Sequence, residues 1–179
     1  MGILADVALA VGTIADSMEE SAEQYCAITD RIVSGYTDDL DSIMARIKVD
    51  VIDCTPSDTA LEMYALELNN AIYFLGERLE KMGVRDDVSK LASKEAYNDA
   101  YLKFIDESNE KKLKRTVAEL TAMAEDESKY NAVMNAIYAR AYKQIKFKID
   151  ASIEMVGTLK KVISRRMAEK QLSMMGSDQ

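Results

Sequence analysis

NAVMNAIYARAYKQIKFKIDASIEMVGTLKKVISRRMAEK, residues 131–170, places an apolar or small residue at Met134, Ile137, Ala141, Ile145, Ile149, Ser152, Met155, Leu159, Ile163 and Met167. Steps of three and four are the period of one helix face. Upstream the same stripe runs through Leu120, Ala124 and Tyr130. It begins at Thr116-Val117-Ala118-Glu119, a capping box in which the Thr hydroxyl and the Glu carboxylate satisfy free backbone N–H groups. The pattern predicts a helix of about 50 residues, about 75 Å at 1.5 Å per residue. One chain can bury such a helix only by laying a comparably long one along it. The nearly sevenfold repeat also suits self-association through a coiled-coil seam.

The partner is legible at the other end. From Leu4, the stripe recurs at Val7, Ala8, Val11, Ile14, Ala15, Met18, Ala22, Tyr25 and Thr29, and then at Ile32, Val33, Tyr36, Leu40, Ile43, Met44, Ile47 and Val51. The stripe stays in phase across Gly35, so residues 1–54 read as one long helix, an interior glycine costing only about 1 kcal/mol. Cys54-Thr55-Pro56-Ser57-Asp58 is the clearest boundary: Thr55 can cap, Pro56 suits a first helical position and Asp58 favours the positive helix end. Residues 55–106 read as a helical hairpin. One arm has its face at Leu61, Tyr64, Leu68, Ala71, Ile72, Leu75, Leu79 and Met82, with Gly83 as a left-handed cap. The other arm runs through Val88, Leu91, Ala92, Tyr97, Tyr101 and Phe104. DESNEKKLKR lacks periodicity, so residues 107–115 read as a polar connector to the long basic helix and short tail of 116–179.

The expected fold is therefore all-α: an elongated bundle of long amphipathic helices with coiled-coil-like packing, oligomeric, and a single domain overall. Composition agrees. With 179 residues, 48% hydrophobic, 30% charged, 7 Gly and one Pro, turn formers are too few for a many-stranded sheet protein. No apolar run approaches the roughly 20 residues of a membrane span. The N-terminal MGILADVALAVGTIADSMEE lacks a basic first region and carries Asp6 and Asp16, so it reads as a helix face, not a signal peptide. Asp6 stands where a myristoylation signal has Ser or Thr.

His is absent, which removes the commonest general base, the commonest zinc ligand and every Ser-His or Cys-His pair. Cys26 and Cys54 cannot make a four-ligand zinc site without histidine, and read as small buried apolar residues in a reducing, cytoplasmic setting. Neither a cofactor, a metal nor a catalytic residue is expected. The clusters Glu19-Glu20-x-x-Glu23 and Asp38-x-x-Asp41 put carboxylates on one helix face. They resemble the two motifs of all-α nucleotide pyrophosphohydrolases of the MazG type, which implies a magnesium-dependent enzyme. The second motif of that family opens with Glu, however, and here it opens with Asp.

Charge is unevenly spread. Residues 1–139 hold 14 Lys or Arg against 27 Asp or Glu, a balance of −13, whereas residues 140–171 hold 9 against 3, a balance of +6. The final helix carries Arg140, Lys143, Lys146, Lys148, Lys160, Lys161, Arg165, Arg166 and Lys170, and Lys111, Lys112, Lys114 and Arg115 precede it. Cations at this density can neutralise phosphates, and the interleaved Tyr138, Tyr142 and Phe147 could stack on unpaired bases. Pairing of the basic face with acidic helices of the same bundle is the competing reading. Likewise the 11 Met residues are either an adaptable surface or gap-filling core.

One further resemblance rests on ALELNNAIYFLGERLEKMGVRDDVSKLASKEAYNDAYL, residues 65–102, and YARAYKQIKFKIDASIEMVGTLKKVISRRMAE, residues 138–169. These resemble the UvsY family of phage recombination mediators, small helical proteins that oligomerise, bind single-stranded DNA and help load a recombinase. The resemblance implies a non-enzymatic, homo-oligomeric protein working in the host cytoplasm with single-stranded DNA and recombination proteins. Where that family has two DNA-contacting basic residues this chain has Glu95 and Tyr97, with Lys90 and Lys94 nearby as substitutes. A virion component or an inhibitor of a host enzyme is the alternative from the class of structural and interaction proteins.

Overall fold

The computed structural model describes the backbone of residues 2–52 and 55–176, and the side chains of residues 20–51 and 55–175. The fold is all-α, with three long helices packing against each other and no strand among the described residues. Helix α1 covers Gly2–Ile47 and continues into one π-helical turn, Lys48–Ile52; α2 covers Asp58–Glu110 and α3 covers Val117–Gly176. Among the described residues no helix is long and apolar enough to cross a membrane. The chain divides into two compact units where the length had suggested one: Met1–Val33 with Arg85–Ala141, and Ser34–Val84 with Tyr142–Gln179.

The helix ends follow local chemistry. Ser57, not Thr55, caps α2, accepting the N–H of Ala60 at 3.2 Å, and the first turn opens on Asp58 with Pro56 outside it. At α3 the capping box forms as read: the N–H of Thr116 donates to Glu119 Oε2 at 2.8 Å and the N–H of Glu119 to Thr116 Oγ1 at 3.3 Å. Between them α2 ends in a left-handed turn. Lys112 has φ 52°, Leu113 N–H donates to Ser108 C=O at 2.9 Å and Lys112 N–H to Asn109 C=O at 3.2 Å. That pattern is a Schellman closure with lysine where glycine is usual.

Two expectations are corrected here. The hairpin of residues 55–106 is one unbroken helix, and Gly83 lies inside it. Gly83 faces the ring of Tyr142 instead of turning the chain, a Cβ at 83 lying 3.4 Å from Tyr142 Cε2. Because α2 never breaks, its inward face is fixed by the phase of Leu61, Leu68, Leu75 and Met82, all buried. Carrying that phase forward brings Ser89, Ser93, Ala96 and Ala100 inward and turns Val88, Leu91 and Ala92 out to solvent. The polar connector is also shorter than residues 107–115, since α2 runs on to Glu110 with Ser108 buried.

In the unit formed by Ser34–Val84 and Tyr142–Gln179, the α3 core reads Ile145, Ile149, Ser152, Val156, Leu159, Ile163. Gaps alternating four and three are those of a coiled-coil seam. Val156 takes the place expected of Met155, which is half-buried, and Met167 is exposed. Leu40, Ile43 and Ile47 of α1 and Leu61, Tyr64, Leu68, Leu75 and Met82 of α2 complete the core. Helix α1 passes through Gly35 as its stripe predicts. There the Arg78 guanidinium donates to the carbonyls of Gly35 at 2.6 Å and Tyr36 at 3.2 Å and lies 5.0 Å above the Tyr36 ring. At the π-helical turn Tyr64 donates its hydroxyl to the Asp50 carboxylate, and that bond, with burial, raises the Tyr64 pKa.

The unit formed by Met1–Val33 and Arg85–Ala141 has a smaller-grained core of Thr29, Val33, Ala100, Ser108, Leu120, Ala124, Ser128, Ile137 and Ala141. Tyr130, expected inside, is 73% exposed, and Ser128 occupies the seam, its hydroxyl donating to Ala124 C=O at 2.7 Å. Cys26 is exposed, not buried, although it stands about two turns of α1 before the buried Val33. The expected burial of Leu4 to Met18, and of Cys54, lies outside the described side chains.

Candidate nucleic-acid interface

Helix α3 holds every basic residue of 140–171 in a fixed angular position, and the phase of its seam sorts them. With Ile145, Ile149, Val156 and Ile163 inward, Lys143, Lys146, Lys160 and Lys161 are turned outward and exposed. Among the described residues none of these four is in an ion pair. Phe147 shares this face and is 72% exposed. An aromatic ring left in water between lysines is the arrangement that stacks on unpaired bases while the ammonium groups meet phosphates. The other two interleaved aromatics are only partly accessible: Tyr138 is half-buried, and Tyr142, also half-buried, packs on Gly83.

The other four cations of α3 in this unit, Lys148, Arg165, Arg166 and Lys170, are held by its acids. Lys148 Nζ pairs with the Asp41 carboxylate and donates to Thr37 Oγ1 at 3.0 Å, and Thr37 in turn donates to Asp41 at 2.8 Å. Arg166 donates to the Pro56 carbonyl at 2.6 Å and to Asp58 Oδ1 at 3.3 Å, and Lys170 reaches Asp58 Oδ2 at 2.5 Å. Hydrogen bonds from Lys170 first and Arg166 second hold the Asp58 carboxyl below the usual carboxylate range. Arg165 bonds Glu169 one turn on, at 2.8 Å, and stays exposed. Arg166 and Lys148 thus spend their charge tying α3 to its neighbours.

The other expected contacts belong to the unit of Met1–Val33 and Arg85–Ala141. Lys90 and Lys94 are exposed on α2 without an ion pair among the described residues, and Arg140 is exposed on α3. Lys111 pairs with Glu107 at 3.4 Å, Lys112 occupies the left-handed turn, and Lys114 is exposed. Arg115 is half-buried, with Nη1 enclosed and unbonded. Of the two positions that depart from the UvsY pattern, Glu95 is exposed, and Tyr97 stacks on Tyr101 with centroids 6.2 Å apart.

The acidic clusters do not converge. Glu20, Glu23 and Asp38 point to solvent while Asp41 is engaged by Lys148, the side chain of Glu19 lying outside the described residues. Among the described residues no three Asp, Glu or Cys side chains come together in a way that could hold a metal ion. Sequence reasoning passed over a second outward face. Met63, Leu66, Tyr73 and Phe74 of α2 are 57–77% exposed. The signal was present, since these residues recur at helical spacing but out of phase with Leu61 and Leu68. No family model, no curated protein and no solved structure matches the chain.

Proposed function

We propose that this chain is a non-enzymatic, self-associating protein of phage type that holds single-stranded nucleic acid on the outward face of α3. Such a protein acts in the host cytoplasm as a recombination mediator or scaffold, together with recombination proteins. The observation that carries this reading is the set of four exposed lysines without an ion pair among the described residues, Lys143, Lys146, Lys160 and Lys161, beside the exposed ring of Phe147. Local potential attracts a phosphate chain even when the net charge of −8 opposes it. The family resemblance over residues 65–102 and 138–169 supports the same conclusion.

The test is fluorescence anisotropy with a labelled oligothymidylate, alongside a duplex of equal length, as salt is raised. Tight binding of the single strand is expected, weakened by Phe147→Ala by roughly 1–3 kcal/mol, the worth of one stacked base. Parent protein that leaves the oligonucleotide unbound even at low salt would refute the reading. It would promote the alternative, a virion component or inhibitor of a host enzyme docking through the exposed apolar residues of α2.

A further inference from the structure

Two outward helix faces of one compact unit, one on α2 and one on α3, match each other in length, charge and shape. On α2, Glu62, Leu66, Tyr73 and Glu80 are separated by four, seven and seven positions and form a single stripe; all four are exposed. On α3, Lys143, Phe147, Asp150, Glu154 and Lys161 form another, also exposed throughout. Each stripe runs 18 positions from its first charged residue to its last. Eighteen positions are five whole turns, about 27 Å, so the two end charges of each stripe point the same way. None of Glu62, Glu80, Lys143 and Lys161 is in an ion pair among the described residues.

We infer that the outward α2 stripe from Glu62 to Glu80 is a docking surface for a second copy of this chain, which lays its α3 stripe from Lys161 to Lys143 along it in antiparallel register. Charge complementarity selects this occupant. In that register Glu62 meets Lys161 and Glu80 meets Lys143, so both ends pair opposite charges. The acids in the middle of the α3 stripe meet donors: Asp150 faces the Tyr73 hydroxyl and Glu154 the Asn69 amide. Bulk meets space as well, because Phe147 falls opposite Gly76 and Leu66 opposite Gly157. Neither glycine has anything within 4 Å of where its Cβ would stand. Like charges oppose each other nowhere along the two stripes, and burying Leu66, Tyr73 and Phe147 removes three large exposed apolar groups from water.

The helices of this unit carry the asymmetry that such a contact uses. Residues 142–176 hold eight bases against three acids, whereas residues 58–84 hold two bases against five acids. The inference rests on the self-association proposed above and assigns it a surface. Since Lys143, Phe147 and Lys161 also belong to the face proposed for the strand, a bound strand and a docked copy exclude each other there.

Charge reversal with mixing tests it, read by light scattering at low salt against the chain mass of 20.0 kDa. The parent is expected to exceed that mass in a concentration-dependent way. Glu62→Lys with Glu80→Lys, and separately Lys143→Glu with Lys161→Glu, should each stay at the monomer mass, and an equimolar mixture should regain the parental mass. Reversed variants that assemble like the parent would leave self-association standing and sink this surface, as would a mixture that stays monomeric. A monomeric parent would remove both. Helix content by circular dichroism checks folding; should a reversal fail to fold, Glu62→Gln with Glu80→Gln is expected to weaken assembly about tenfold, and unchanged assembly would count against the surface. Oligothymidylate anisotropy on the same samples reports the strand-binding reading separately.

Discussion

Arg166 and Asp58 join the last third of α3 to the first turn of α2: the guanidinium Nη1 lies 3.3 Å from the carboxylate and 2.6 Å from the Pro56 carbonyl that precedes it. A basic residue that reads in sequence as a phosphate contact is therefore a packing element. Five residues earlier, Lys161 is exposed and unpaired among the described residues. The two should separate cleanly in experiment. Lys160→Gln with Lys161→Gln is expected to weaken single-strand binding and flatten its salt dependence by roughly 0.7 log–log units per lost phosphate contact, leaving the Tm of dilute protein unchanged. Arg166→Gln with Lys170→Gln should lower Tm by a few degrees and leave the salt slope alone. The reverse assignment of the two effects would show that the acids of the bundle do not select which cations remain free.

Asp58 sets a pH dependence. Lys170 and Arg166 hold its carboxyl below the usual range in the folded protein. A depressed folded pKa gives stability that is fully present above the unfolded value, near about 4, and is lost as pH falls through the folded value. Asp58→Asn should thus melt below the parent at neutral pH, with the gap closing on acidification. A gap that stays constant from pH 7 down to pH 2 would show that the charge of Asp58 is not what stabilises.

Leu66 and Leu68 lie two positions apart on α2 with opposite fates, 63% exposed and fully buried. Leu68→Ala should cost about 2–5 kcal/mol by loss of apolar burial and creation of a cavity. Leu66→Ala should leave urea unfolding of dilute protein within about 0.5 kcal/mol of the parent. Equal losses at both positions would mean that the α2 phase is wrong.

Lys112 closes α2 in the left-handed region at φ 52°, where a side chain costs energy and glycine does not. Lys112→Gly should raise the urea midpoint by the equivalent of roughly 0.5–1 kcal/mol with the slope unchanged. A lower midpoint would instead assign the Lys112 side chain a stabilising contact.

Nucleotide hydrolysis should be absent. Glu20, Glu23 and Asp38 face solvent and Asp41 is taken by Lys148, so among the described residues a magnesium–triphosphate complex finds no converging carboxylates. Magnesium-dependent release of pyrophosphate, abolished by Glu20→Gln with Glu23→Gln, would restore the enzyme reading.

Several features were determined by the sequence alone because they are local. Helix periodicity made the class all-α, carried α1 through Gly35, and started α3 at the Thr116–Glu119 capping box, since side chains three and four apart share a face whatever surrounds them. Tertiary packing decided the rest. Gly83 reads in sequence as a left-handed cap, and only the Tyr142 ring beside it and the continuous α2 phase exclude the cap. That phase then turned Val88 and Leu91 outward, against their hydrophobicity. The basic helix is likewise a single run of charge in sequence. Which lysines are left for a ligand depends on where Asp41 and Asp58 stand, more than 100 positions from Lys148 and Arg166. An ion pair needs about 4 Å of proximity, which sequence separation does not encode.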